Sequence, residues 1–248
     1  QAAILATARG AHERLPDRKV QLMLVPRSKY LKQLDDLSVA MEDLGQKTIA
    51  DVTAAGLALA KGDAEAAEEV ISGEMRMRRL RATIEDTCLD IMLMQQPLVA
   101  DDLRYVSGSF RLVSDLAHID SKSRDVAYLA TQIPHEVASA IETEIATASG
   151  KVAYMVKTAL ESFADADRDR AEEVFASDDE VDALYECAEQ VVVDLIRKGD
   201  ADATHLPELL MAAKYFERMG DDAERIAKWA IFRLTGTHDL KVGEIPAE

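Results

Sequence analysis

Apolar residues return at seven-residue intervals along two separate stretches of this chain. In the first they are Val70, Met77, Ile84 and Ile91, with Leu80 on the neighbouring stripe; in the second, Val174, Val181, Ala188 and Leu195, with Leu184 alongside. Seven residues are two helical turns, so each set lines one face of an α-helix. Ala, Leu, Glu, Lys, Arg and Met dominate and β-branched alternation is absent, so nearly the whole chain reads as helix. Gly62-Asp63, Gln96-Pro97, Ile133-Pro134, Asp165-Ala166-Asp167 and Gly199-Asp200 interrupt the pattern with cap and breaker residues. These breaks predict helices at about 28–61, 64–95, 100–132, 135–164, 168–198 and 205–235. Soluble helices of that length are bundle or coiled-coil members.

The two stretches also match each other. Residues 67–70 and 171–174 both read AEEV, and an offset of about 104 carries Asp63 onto Asp167 and Leu80 onto Leu184. Near the end of each half the offset falls to about 100, so that Leu116 meets Phe216. This is a duplicated three-helix unit. The expected fold is all-α: two pseudo-symmetric three-helix bundles, one over 27–133 and one over 134–236, followed by a tail at 237–248. Residues 1–26 are read as an N-terminal extension or a vector-derived remnant. Leu24-Val25-Pro26-Arg27-Ser28 nearly matches a thrombin site but lacks its glycine.

Charge narrows the function. The 248 residues carry a formal net charge of -17 with a pI of about 4.7. Attraction to nucleic acid or to anionic lipid is not expected; a basic partner surface or a hard cation is the complement. Cys88 and Cys187 form no C-x-x-C pair, and both are expected to be inert thiols on apolar helix faces in a reducing compartment. No apolar run reaches a membrane span and no cleavable leader is read.

The most informative segment is KYFERMGDDAERIAKWA, residues 214–230. Glu217 and Asp221 lie one turn apart on one helix face and repel each other. Either a cation sits between them or basic neighbours neutralise them. Lys214, Arg225 and Lys228 share the stripe, and Asp221 followed by Arg225 has the favourable order for a helix ion pair. A cation needs further ligands, because two carboxylates do not fill a hard-ion shell. Asp222 and Glu224 rotate off that line, and no two histidines pair at helical spacing.

Two motifs carry a family resemblance. Gln95-Gln96-Pro97 followed by Asp102-Leu103-Arg104 resembles the QQPxAxDLR segment of the PhoU family. Glu217-Arg218-Met219-Gly220-Asp221, with Ile226-Ala227 and Trp229, resembles that family's ERIGD core. The resemblance spans about residues 28–236, and the duplicated unit is the family's architecture. It implies a cytoplasmic, all-helical homodimer without catalysis. Such a protein couples a phosphate ABC transporter, through its ATPase, to a sensor histidine kinase and represses the phosphate-starvation response. It would meet the membrane only through those partners. Some members hold metal clusters through an E(D)-x-x-x-D motif in each half, so the resemblance implies a divalent or ferric ion at Glu217 and Asp221.

The first half departs from that pattern. Its ligand positions fall on Ala117 and Ser121, and its glycine position on Asp120. Alanine cannot ligate, and a serine hydroxyl replaces carboxylate poorly. Asp125, one turn beyond Ser121, remains as a lone candidate ligand. His118 stands at the family's arginine position, and Arg225 at its asparagine position. Arg76, Arg78, Arg79 and Arg81 form a basic patch that reads as surface pairing with Glu74 and Glu85, or as a docking site for an acidic partner. No glycine-rich nest or arginine cluster for oxyanions is legible. Two other readings stay open: a structural helical oligomeriser, and a metal-binding bundle without a phosphate role. A carboxylate-bridged di-iron enzyme would need Glu-x-x-His, which is absent.

Overall fold

The computed structural model describes residues 18–95, 98–199 and 204–237, with side chains from residue 28 onward. The described residues are helical almost throughout: α1 (Arg18–Lys61), α2 (Ala64–Ser72), α3 (Glu74–Met94), α4 (Ala100–Ala130), α5 (His135–Ala138), a 3-10 turn (Ser139–Ile141), α6 (Glu142–Asp165), α7 (Arg168–Lys198) and α8 (Leu206–Thr235). The all-α class expected from the apolar spacing is what folds. Residues 1–17, Gln96, Pro97, 200–203 and 238–248 lie outside the described residues, so part of the first family motif, Asp200 of the expected break and most of the tail cannot be placed.

Two predicted helices come out differently. The helix expected over 64–95 is divided at Gly73. A Cβ there would meet Lys47 Nζ, the end of a side chain from α1, at 2.5 Å. Lys47 is itself fixed by Asp51 at 2.5 Å, both nearly buried. The helix expected over 135–164 begins instead with the short α5 and the 3-10 turn. At the other end, α1 begins at Arg18. The stretch 18–26, read as an extension, is therefore continuous with the first helix.

Elsewhere the breaks act as their residues require. Gly62, at φ +67°, ends α1, and Asp63 accepts from the Glu65 and Ala66 amides at 3.1 Å to start α2. Asp167 caps α7 in the same way through the Arg170 amide at 3.2 Å.

α1, α4, α6 and α8 pack around one continuous core that includes Leu37, Leu44, Leu116, Met155 and Phe216. α2 and α3 cover α1 and α4, and α7 covers α6 and α8. The duplication is visible in burial. Ala67 and Ala171, Val70 and Val174, Met77 and Val181, Ile84 and Ala188, Cys88 and Val192 are all buried pairs. So are Leu116 and Phe216, Ile119 and Met219, Val126 and Ile226. α1 meets α6 and α4 meets α8 across the pseudo-twofold relation. Cys187 departs from expectation: it is exposed, whereas Cys88 is buried, and both are free. Among the described residues no helix is long and apolar enough to cross a membrane.

Candidate functional site

The surviving part of the first motif is structural. Asp102 accepts from the Tyr30 hydroxyl at 2.5 Å, tying α4 to α1. Arg104 donates to the Arg233 and Leu234 carbonyls at 3.1 and 3.0 Å, closing the C-terminus of α8. A cation at a helix C-terminus also complements its dipole.

The second motif looks outward from α8 toward α7. Glu217 is mostly buried; its Oε1 accepts from Lys214 at 2.6 Å, and its buried Oε2 has no partner. Asp221 is exposed and makes no hydrogen bond or ion pair among the described residues. The sequence offered basic neighbours to neutralise this stripe. Arg225 does not take that role: it turns to Asp222 and to Asp115 of α4. Lys228 pairs with Glu224. The expected Asp221–Arg225 pair does not form, because two buried carboxylates compete for the guanidinium.

What faces Glu217 and Asp221 is a second carboxylate pair that the sequence reading missed, Asp178 and Asp182 on α7. Burial and the surrounding charges of Glu224, Asp182 and Asp221 push the Asp178 carboxyl up to about 7. Burial, Glu217 and Asp221 raise Asp182 as well. Gly220 lies directly beneath: a Cβ there would sit 2.8 Å from Asp178 Oδ1. The glycine of the ERMGD segment thus lets the Asp178 carboxylate rest on the backbone of α8. A signal was present, since Asp178-x-x-x-Asp182 has the spacing of Glu217-x-x-x-Asp221. It was hidden by three acidic residues in a row at 178–180. Four carboxylates from two helices thus act on one another electrostatically, two with raised proton affinity and one with an orphaned buried oxygen, although they are not among the described groups that bring three ligand atoms within 4.8 Å. Asp125 is not drawn into this group. It is exposed on α4, and the charges acting on it are Arg124 and Lys122.

Asp115, His118 and Asp222 do bring ligand atoms within 4.8 Å of one another, between α4 and α8. Its carboxylates are already satisfied. Asp115 accepts from Arg225 Nε and from Trp229 Nε1, each at 3.1 Å. Asp222, 3% exposed, takes Lys122 at 2.5 Å as well as Arg225. Lys122 and Asp222 occupy equivalent positions of the two halves, so this ion pair sits on the pseudo-symmetry relation itself. We read the cluster as a staple between halves.

The first-half counterpart of the carboxylate group has lost the excess negative charge. Glu74 and Arg78 stand where Asp178 and Asp182 do, and they pair with each other at 2.5 Å. Across from them are Ala117 and Ser121. Arg124 lies over the buried Asp120, with which it forms an ion pair.

Comparison with known proteins follows this geometry. The PhoU domain model matches the chain twice, over residues 41–130 and 145–230. The chain belongs to the PhoU family. Both PhoU matches together cover more than half of it, one in each half. A phosphate-specific transport system accessory protein PhoU homolog of Clostridium acetobutylicum is 29% identical over 83% of this chain and 93% of its own length. The PhoU homolog of Aquifex aeolicus is 30% identical over 77% of this chain and 84% of its own. The crystal structure of PhoU from Pseudomonas aeruginosa superposes with a TM-score of 0.76 at 25% identity, covering 84% of this chain and all of that one. The phosphate transport system regulatory protein PhoU from Streptococcus pneumoniae, 23% identical with a TM-score of 0.77, shares the fold.

Proposed function

We propose that this protein is a non-enzymatic, cytoplasmic accessory of phosphate transport. It couples a phosphate ABC transporter to a sensor histidine kinase and keeps the starvation response off when phosphate is plentiful. The observation that carries this reading is the double match of the PhoU model, in register with the two halves of the fold, together with relatives named as phosphate-specific transport accessory proteins along nearly their whole length. The protein works as a homodimer by docking and by shifting the populations of that assembly. Its charge of -17 suits basic partner surfaces.

A hard cation at Asp178, Asp182, Glu217 and Asp221 is part of the proposal. Bound there, it would neutralise a group of like charges and fix α7 against α8; Lys214 would supply the remaining positive charge beside Glu217. Metal content of protein purified without chelator, measured by mass spectrometry, tests this part. One or more equivalents that vanish in Glu217→Ala/Asp221→Ala are expected, and an equally loaded variant would refute the site.

The physiological part is tested by deletion in the host. Loss of the gene should switch on a starvation-responsive reporter in phosphate-rich medium, and the wild-type chain should silence it again. A reporter indifferent to the deletion, with no co-purification of transporter ATPase or kinase, would end the coupling reading. Light scattering in solution reports the dimer.

A further inference from the structure

The departure of the first half from the family motif is more than a loss. Between α3 and α4, where the second half concentrates carboxylates, lies a cavity of about 330 Å³ bordered by Arg78, Arg81, His118, Ser121, Arg124 and Asp120. Three guanidiniums and an imidazole converge there on a chain of net charge -17. Sequence inspection found no arginine cluster for an oxyanion because Arg78 and Arg81 belong to one helix and Arg124 to another. Each arginine has one side-chain nitrogen engaged with a carboxylate: Arg78 Nη2 with Glu74 at 2.5 Å, Arg81 Nε with Glu85 at 2.7 Å, and Arg124 Nη1 with Asp120. A guanidinium has five N–H donors, so each retains a fork to offer. Burial and the neighbouring Lys122 lower the proton affinity of His118, leaving an imidazole that donates one hydrogen bond and accepts one.

Asp120 sets this cavity apart from its counterpart in the second half. It is 1% exposed, and its Oδ1 has no hydrogen-bond partner. A buried carboxylate oxygen left without a donor is costly and rare. In the second half the equivalent position is Gly220, which offers no such group. A set of guanidiniums beside a carboxylate that still wants a donor suits an anion that itself carries a proton. Sulfate has none at neutral pH. A phosphomonoester, with its second pKa at about 6, is mostly stripped of its proton. Inorganic phosphate keeps at least one.

We propose that the α3–α4 cavity of the first half is a binding site for inorganic phosphate in its protonated forms. Arg78, Arg81 and Arg124 grip the anionic oxygens, Ser121 and His118 add neutral contacts, and, as Arg124 shifts toward the anion, Asp120 Oδ1 accepts a hydrogen bond from the oxygen that keeps its proton. The two halves of one duplicated fold then take ligands of opposite charge. The site does not depend on a cation in the second half.

Isothermal titration of the full chain, treated with chelator and held at low ionic strength, tests it with inorganic phosphate, sulfate and phosphoserine as separate probes. Saturable binding of phosphate is expected, with sulfate and phosphoserine each weaker by at least about tenfold, the worth of one charged hydrogen bond. Arg78→Gln/Arg81→Gln alters exposed and half-exposed side chains, so it should keep the fold, checked by circular dichroism, and weaken phosphate by more than about tenfold. Ser121→Asp, which places a carboxylate in the cavity, should do the same. Glu217→Ala/Asp221→Ala should leave phosphate affinity unchanged. No saturable binding up to ~10 mM phosphate, or affinity indifferent to both cavity variants, would overturn the proposal. Sulfate bound as tightly as phosphate would overturn the role given to Asp120.

Discussion

The α7–α8 groove and the α3–α4 cavity are the same place in two copies of one unit, and they differ in charge. In the second half Asp178, Asp182, Glu217 and Asp221 crowd together. In the first, the corresponding residues are Glu74, Arg78, Ala117 and Ser121, with Arg81 and Arg124 alongside. The residues beneath them are alike: Met77 under the first and Val181 under the second are both buried, as are Ile119 and Met219. Burial fixes the apolar positions because each is surrounded by packed neighbours. The outward positions carry no such constraint, so one scaffold supports a surface of crowded carboxylates in one half and a surface of arginines paired with carboxylates in the other. What the two share at the centre is the Lys122–Asp222 pair, itself a reversal of charge between equivalent positions.

The sharpest way to break the comparison is to give the second half the first half's residue at its tightest point. In Gly220→Asp the new Cβ would lie 2.8 Å from Asp178 Oδ1 and bring another carboxylate into the group. Overpacking and uncompensated charge together predict a loss of about 3 kcal/mol in urea unfolding. The opposite change, Asp120→Gly, should cost less than Gly220→Asp, because Arg124 is partly exposed and can turn to solvent.

A middle-sized effect belongs to the shared centre. Lys122→Met leaves the nearly buried Asp222 with Arg225 as its remaining partner. Two charges compensated by one guanidinium predict a loss of about 2 kcal/mol. If unfolding stability is unchanged, Arg225 alone suffices and the staple between halves is not what Lys122 supplies.

The smallest effect is also the most diagnostic of charge crowding. The folded Asp178 carboxyl titrates near 7 against an ordinary 3.8. The folded state therefore holds its proton more tightly than the unfolded chain, and stability falls as pH rises from about 4 to about 7. Asp178→Asn should remove that slope, making the chelator-treated variant more stable than wild type at pH 8 by about 1 kcal/mol, a value reduced for the half-exposed position. Below pH 4 the two should coincide. Adding a divalent cation should stabilise wild type and not the variant. A wild-type melting temperature flat from pH 4 to 8 without metal would show that the carboxylates do not crowd.

Much of the fold was legible. The seven-residue spacing of Val70, Met77, Ile84 and Ile91 named residues that are all buried, because a helix face that repeats in sequence must repeat in burial. The division at Gly73 was not legible, because a lone glycine inside a helical pattern is tolerated as often as it breaks the helix. The candidate site was half legible. Glu217 and Asp221 were found by their spacing; Asp178 and Asp182 had the same spacing but lay in an acidic run that reads as solvated surface. Arg225 was assigned to Asp221 by helix geometry. It went to Asp115 and Asp222, whose burial makes a partner worth more to them than to an exposed carboxylate.

The sequence by itself determined the all-helical class, the duplication and the family, because these depend on periodicity, caps and short motifs that are local along the chain. Only the tertiary structure decided which charges meet. Asp182 with Glu217, Lys122 with Asp222, and Arg78 with Arg124 are each brought together by helices that pack side by side while remaining tens of residues apart in sequence. The sign of each half's surface is therefore a property of the packed pair and of neither helix alone.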